Sequence, residues 1–232
     1  MTEFAIEAQD LQLRSKRGMV YGPLDWALER GQLGVVSGPP DSGKSTLMLT
    51  FTGRMKPSEP SKLRVLGSWL PGDARRVQQL SSVMGVGGLD DLDDVVTVRA
   101  TVRERLAWLA PWYRVVRNPS DEQITQLCAP AFGQLPIPSG STRIYKLSES
   151  SNLLLRIALA LASKPELIAV DAVDQLHDVA ERAVLWRRLD AIAASGITVV
   201  ASTTGIEGLD TIDWTTPPTH LDLGLTDAAK ES

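Results

Sequence analysis

The sequence predicts an α/β protein with a parallel core sheet, an N-terminal antiparallel β subdomain and an inserted helical subdomain. Short apolar runs alternate with helical patterns at both ends of the chain, which favours a parallel sheet covered on both faces. Apolar and polar residues alternate over 4–13, as is typical of a half-buried antiparallel strand. The middle of the chain carries helical spacing without such strands.

The first third of the chain contains the N-terminal strands and the start of the core. The patterns predict strands at 4–13, 24–28, 33–37 and 63–66, and a helix at 44–54. The 33–37 run is continuously apolar and flanked by glycines, which indicates a buried strand.

The middle and last thirds contain the inserted helices and the rest of the core. A helix is predicted at 97–113, and the Pro- and Gly-containing stretch 135–140 is predicted as a linker. Farther along, the patterns predict helices at 148–163 and 179–194 and strands at 167–171 and 197–202. These elements make 1–232 one domain, with a core at about 1–89 and 147–224, an insertion at about 90–146 and a tail at 225–232.

Composition excludes several classes of function. The 24 basic and 28 acidic residues give a net charge of −4, which argues against sequence-independent nucleic-acid binding. A single cysteine, Cys128, excludes an internal disulfide and is most simply a small buried apolar residue. No apolar run approaches the roughly 20 residues that span a bilayer, so a soluble, cytoplasmic chain is expected.

A glycine-rich motif joins the strand at 33–37 to the helix at 44–54. It fits the pattern G-x-x-x-x-G-K-[ST], and its candidate phosphate-binding residues are Gly38, Pro39, Asp41, Ser42, Gly43, Lys44, Ser45 and Thr46. Backbone N–H groups of such a loop cradle phosphates, the lysine reaches the β- and γ-phosphates and the serine hydroxyl binds Mg²⁺. The alternative is an ordinary tight turn, but the strand and helix around it predict a P-loop NTPase.

An acidic residue completes such a site. Asp171 follows four apolar residues of a predicted buried strand, which puts its carboxylate at the strand's C-terminal end near the phosphate loop. There it would hold the water shell of Mg²⁺, together with Ser45. The alternative is an ordinary loop aspartate.

The order of motifs resembles the ATP-binding domain of an ABC (ATP-binding cassette) transporter over about residues 3–224. After the phosphate loop, 98–106 is similar to the family's Leu-Thr-Val-Arg-Glu-Asn-Leu stretch. Leu147, Ser148, Glu149, Ser150 and Ser151 stand in the place of the signature Leu-Ser-Gly-Gly-Gln. Asp171 then closes the second nucleotide motif, and Asp178 matches the aspartate of the family's dimer loop.

The resemblance implies ATP and Mg²⁺ as ligands. It also implies a second ATP-binding subunit, in a homodimer or a heterodimer, in which the signature of one subunit closes over the γ-phosphate held by the other. A separate transmembrane protein would hold the chain on the cytoplasmic face of a membrane, and no nucleic acid is expected.

The departures from the family pattern fall on hydrolysis. Ala172 occupies the position of the glutamate that polarises the attacking water, and Thr204 that of the switch histidine. Losing a general base costs about 10²–10⁴ in rate. The glutamine that contacts Mg²⁺ and the membrane partner has Gly88 or Leu89 in its place. No catalytic residue is assigned, and slow or absent ATP turnover is predicted.

The signature is altered as well. Glu149 and Ser150 replace both of its glycines. A carboxylate at Glu149 would repel the phosphate across a dimer, or would simply favour the start of the following helix.

Three further features are open. The position that stacks on adenine in the family holds Ser15, with Tyr21 as the nearest aromatic residue and Arg14 or Arg17 as alternatives. Trp108 and Trp112 are interpreted as a packed helix face rather than a partner-facing surface. The acidic stretch 90–94 is interpreted as a solvated loop.

Two functions follow from these observations. The first is the ATP-binding subunit of a transporter that couples MgATP binding and impaired hydrolysis to a membrane partner. The alternative is a non-transporting, ATP-sensing regulatory or assembly protein with the same fold and little or no ATPase activity.

Overall fold

The computed structural model describes residues 3–176 and 178–224, so the predicted tail at 225–232 lies outside the described residues. Nine strands and six helices are assigned in the described part of the chain. The strands are β1 (Phe4–Ser15), β2 (Gly18–Glu29), β3 (Leu33–Ser37), β4 (Lys62–Val65), β5 (Ser68–Leu70), β6 (Ser81–Met84), β7 (Leu167–Val170), β8 (Thr198–Thr203) and β9 (Thr219–Asp222). The helices are α1 (Lys44–Phe51), α2 (Ala74–Leu80), α3 (Val98–Leu109), α4 (Asp121–Phe132), α5 (Glu149–Leu161) and α6 (Val179–Ala194).

Two sheets form, as the sequence predicts. The N-terminal sheet has the strand order β2-β1-β4-β5 and is antiparallel. The core sheet has the order β6-β7-β8-β3-β9 and is parallel throughout. Parallel pairing sends the carboxyl ends of all five strands to one edge, which is where ligands bind in open α/β sheets.

The core sheet is buried on both faces because successive side chains of a strand point to opposite sides. Val35 of β3 belongs to one apolar cluster, which includes residues of α3, α4, α5 and α6. Val36 belongs to a second cluster, which includes residues of α1, α2 and the N-terminal sheet. The antiparallel sheet therefore covers the α1 side of the core.

The inserted helices differ in how they begin and end. Thr97 caps α3 by accepting the Ala100 N–H, and Ser120 and Gln123 form a reciprocal capping box at α4. The helix predicted at 97–113 ends at Leu109 because Pro111 disfavours helical geometry at Ala110, which is extended. Both helices fall within the predicted insertion, whose boundaries remain a prediction.

The structure contradicts the interpretation of the two tryptophans as a packed helix face. Trp108 is 79% exposed and Trp112 is 95% exposed, and Trp112 lies beyond the end of α3. The buried residues of α3 are all in its first five positions, Leu106 packs partly against the core, and residues 107–109 at the end of the helix are exposed.

The interpretation of 90–94 as a solvated loop is wrong for its first member. The side chain of Asp90 is only 17% exposed and forms an ion pair with Arg156 of α5, with 2.5 Å between Oδ1 and Nη2. Its two oxygens also accept the N–H of Gly85, which follows β6. The loop folds back because this carboxylate satisfies both groups.

Candidate nucleotide-binding site

The predicted phosphate loop lies between the carboxyl end of β3 and the first turn of α1. Gly43 has φ 87°, and a Cβ there would come within 2.5 Å of the Val20 carbonyl oxygen, so only glycine fits. Asp41 also has a positive φ, 62°. The helix starts at Lys44 and turns its N-terminal N–H groups, which carry partial positive charge, toward the loop.

Lys44 is 9% exposed and holds the loop closed around itself. Its ammonium donates to the carbonyl oxygens of Gly38 and Pro39, each at 2.7 Å. The Ser42 hydroxyl is buried and has no hydrogen-bond partner among the described residues. A buried ammonium and a buried, unpaired hydroxyl beside free N–H groups fit a bound phosphate, which would supply acceptors to all of them.

Asp171 lies one residue beyond β7 and is 5% exposed. The strands β3 and β7 are not neighbours, because β8 lies between them and pairs with both. The Ser202 hydroxyl of β8 donates to one Asp171 carboxylate oxygen and accepts the Ala172 N–H at 2.8 Å. Ser202 therefore fixes the carboxylate at the sheet edge. With Ser45, Asp171 offers the oxygen ligands that Mg²⁺ prefers beside phosphates.

Ala172, at the position predicted for the general base, has a defined backbone geometry. Ala172 has φ 53°, a left-handed conformation uncommon for residues other than glycine. Its methyl group offers neither a proton acceptor nor a hydrogen bond. The backbone at this point is thus locked by Ser202, while the side chain contributes no acid–base chemistry.

Thr204 contacts the segment that follows Ala172. Its hydroxyl donates to Asp174 Oδ2 at 2.6 Å, and Asp174 Oδ1 is buried without a partner among the described residues. The residue in the switch position is thus linked to a neighbouring acidic side chain by an uncharged hydrogen-bond donor.

The signature segment forms the start of α5. Ser148 caps the helix by accepting the Ser151 N–H at 3.2 Å, and Leu147 is half-buried just before it. Glu149 is the first helical residue, where a negative charge is favourable. The Ser150 N–H donates to Glu181 of α6 at 3.4 Å. Glu149 and Ser150, which stand in place of the signature glycines, therefore fit a stable helix start.

Asp178 also begins a helix. Its carboxylate accepts the N–H groups of Ala180 and Glu181 at 2.6 and 3.3 Å and caps α6. The side chain is exposed, and its dimer-loop role stays a prediction.

A cleft of about 670 Å³ separates the edge of the core sheet from the signature. Asp171, Ala172 and Asp174 line one side, and Leu147 and Glu149 line the other. Gly85 lies at its base, where a Cβ would come within 2.3 Å of the Asp171 carbonyl oxygen. Ala172, at the position predicted for the general base, and the signature of the same chain thus line one cleft.

Tyr21 is not available to stack on adenine. This residue is 3% exposed, its hydroxyl hydrogen-bonds that of Thr50 at 2.7 Å, and burial raises its pKa to about 12. Tyr21 is therefore a core residue. The interpretation of Cys128 as a small buried apolar residue is confirmed.

Several contributors to the site were missed in the sequence. Ser202, Asp174 and the Asp90–Arg156 pair act through contacts between residues far apart in the chain. The one available signal is a polar residue, Ser202, that directly follows the apolar run 199–201 of a buried strand.

Comparison with known proteins identifies the class. The family model described as ABC transporter matches residues 21–173, two thirds of the chain, so the chain belongs to the ABC transporter family. The relatives include the Nod factor export ATP-binding protein I of Neorhizobium galegae, 28% identical over 86% of this chain and 54% of that protein. The protein of the same name from Rhizobium johnstonii is 29% identical over 80% of this chain and 56% of its own length. The chain thus spans about half the length of the curated relatives it matches.

Solved structures confirm the fold. CbiO1 from Clostridium perfringens, part of the ABC transporter complex CbiONQ, matches with a TM-score of 0.69 at 16% identity, over 88% of this chain and 80% of that chain. A dimeric bacterial ABC transporter cassette matches with a TM-score of 0.69 at 18% identity, over 94% of this chain and 95% of that chain. None of the helices described is both long and apolar enough to cross a bilayer.

Proposed function

We propose that this chain is an ATP-binding subunit of an ABC transporter that uses MgATP mainly as a ligand, with slow or impaired hydrolysis. The phosphate loop carries the proposal. Its buried Lys44 ammonium donates to two loop carbonyls and has a third N–H, and the buried Ser42 hydroxyl has no partner among the described residues, so both can donate to phosphate oxygens.

The proposed limit on hydrolysis follows from side chains. Attack on the γ-phosphate needs a group that takes a proton from water, and Ala172 offers none at that position. Mg²⁺, held by Ser45 and Asp171, would neutralise phosphate charge but would not replace the proton acceptor. Thr204 is uncharged, so it supplies no positive charge to the phosphate. Its hydroxyl donates to Asp174. Bound ATP can still select one conformation, because a ligand shifts any equilibrium between states that it binds with different affinity.

Dimerisation and membrane coupling are proposed from the family and from the names of similar proteins. The relatives are named as ATP-binding proteins of Nod factor export, and the solved neighbours include a dimeric cassette and part of a transporter complex. We propose a homodimer or heterodimer in which Leu147–Ser151 faces the other subunit's phosphate. A transmembrane partner would hold the chain at the cytoplasmic face of a membrane.

Calorimetry with Lys44→Ala tests nucleotide binding directly. Loss of a charged hydrogen-bond donor costs about 1.5–3 kcal/mol, so MgATP affinity should fall at least about tenfold. Lys56→Ala, at an exposed lysine after α1, is the matched control and should leave affinity unchanged. Absence of MgATP binding by the unaltered chain, or equal affinity in Lys44→Ala, would contradict the proposal.

The second candidate is the non-transporting, ATP-sensing regulatory or assembly protein. The alanine at position 172 favours it, since a sensor needs binding without turnover. Purification from native membranes separates the two functions. A stoichiometric transmembrane protein in the purified complex supports the transporter subunit, and its absence with MgATP binding intact supports the sensor.

A further inference from the structure

The most exposed apolar side chains of the described residues lie together in one short segment. Trp112, Val115, Trp108 and Tyr113 are 95%, 87%, 79% and 73% exposed, more than any other large apolar residue described. All four fall within residues 108–115, at the end of α3 and in the turn that follows it. Apolar side chains that cluster in this way mark an interaction surface, whereas scattered ones do not.

The segment is held in shape by its own contacts. The rings of Trp112 and Tyr113 meet edge to face with centroids 5.9 Å apart. The Arg114 N–H donates to the Pro111 carbonyl at 2.9 Å, and Arg103 Nε of α3 donates to the Val116 carbonyl at 3.3 Å. The aromatic side chains are therefore presented by an ordered turn that the helix supports.

Two arginines follow these aromatic residues in the sequence. Arg114 and Arg117 are exposed, and within the described residues neither side chain has an ion pair or a hydrogen bond. Residues 108–117 contain two arginines and no acidic residue, a net charge of +2 in a chain whose net charge is −4. The remainder of the chain therefore carries −6, and this segment is a local exception to its charge.

We propose that residues 108–117, the aromatic–arginine segment, bind an anionic lipid surface directly. Tryptophan and tyrosine favour the membrane–water interface, since their rings are apolar and their edges polar. Exposed arginines beside them attract anionic headgroups. The acidic remainder of the chain is repelled by the same surface, so the molecule binds in one orientation with this segment toward the lipid.

This inference goes beyond the proposed function. It assigns the contact to lipid, in addition to any transmembrane protein, and it does not depend on nucleotide binding. Tryptophan, tyrosine and arginine are also common in protein–protein interfaces. The unpaired arginines and the opposite charge of the remaining chain favour the lipid surface, and a protein partner is one outcome of the test.

Vesicle co-sedimentation of the full chain tests the proposal, with phosphatidylcholine vesicles compared with vesicles that also contain phosphatidylglycerol. Binding is expected only to the anionic vesicles and should weaken as salt is raised. Arg114→Glu with Arg117→Glu should weaken it at least about tenfold, given the contribution of each arginine near such a surface. Trp112→Ala with Tyr113→Ala should also weaken it.

Matched controls lie outside residues 108–117. Trp69→Ala removes another exposed tryptophan, on β5, and Arg75→Glu with Arg76→Glu reverses two exposed arginines of α2. Both controls should bind anionic vesicles like the unaltered chain. The free energy of unfolding in urea, measured on every variant, shows whether the fold is intact.

Two results would overturn the lipid assignment. One is no binding of the unaltered chain to anionic vesicles; if the segment variants then also lose a co-purifying transmembrane protein, the surface belongs to that protein. The other is an equal loss of vesicle binding in the segment variants and in the controls.

Discussion

The phosphate loop and the carboxyl ends of β7 and β8 lie at the same edge of the core sheet, but they keep different parts of their chemistry. The loop retains its glycine, its buried Lys44 and its helix start. The neighbouring strand ends retain Asp171 and its hydrogen bond from Ser202, yet carry Ala172 and Thr204 at the predicted hydrolytic positions. The proposed phosphate site needs backbone geometry and one cation, whereas hydrolysis would need particular side chains.

Restoring the base should have the largest effect. Ala172→Glu places a carboxylate at the position that lacks one, and ATP turnover should rise at least tenfold, up to the roughly 10²–10⁴ that a general base contributes. The rate of phosphate release is the measurement. Ala172→Gln is the control, because it has the same shape without a proton acceptor, and it should stay at the level of the unaltered chain. Equal rates in both variants would show that another feature limits turnover.

Removing the hydroxyl that links β7 and β8 should lower stability. Ser202→Ala leaves the buried Asp171 carboxylate and the Ala172 N–H each without this partner. The free energy of unfolding in urea should fall by about 1–3 kcal/mol. Ser139→Ala, at an exposed loop serine, should change it by less than about 0.5 kcal/mol. An unchanged unfolding free energy in Ser202→Ala would mean that the bridge does not hold the strand ends.

The smallest effect is expected at the switch position. Thr204 is exposed, so water can replace its hydrogen bond to Asp174. Thr204→Val should therefore lower the free energy of unfolding by less than about 1 kcal/mol and leave MgATP affinity unchanged. A tenfold loss of affinity in this variant would place Thr204 on the nucleotide and break the division between the two regions.

Local sequence patterns predicted most of the strands and helices that form the core. The bounds of β3 and α6 agree with the prediction, since a continuous apolar run and a long periodic helix are strong local signals. The three-residue β5, the α2 helix with Val77 as its buried residue and the polar β9 were not predicted. β9 pairs with β3, which is distant in sequence. β5 and α2 are too short to give a clear periodic pattern, although β5 pairs with the adjacent β4.

The site divides in the same way. Lys44 and Asp171 could be identified because each lies within a contiguous motif. Ser202 and Asp90 could not be assigned roles, because their partners lie 31 and 66 residues away. Trp108 and Trp112 were assigned to a packed face because helical spacing alone does not reveal that the last residues of α3 are exposed and that the helix ends before Pro111.

Single-turnover analysis of the unaltered chain tests the central claim most directly. The protein is mixed in excess with MgATP, and the bound nucleotide is recovered and identified over time. The chain is expected to retain ATP, with conversion to ADP at least about tenfold slower than in Ala172→Glu. Conversion at the rate of that variant, if Lys44→Ala abolished it, would contradict this expectation. The chain would then need a substitute base. Asp174, which has a buried oxygen without a partner among the described residues, is the first residue to test.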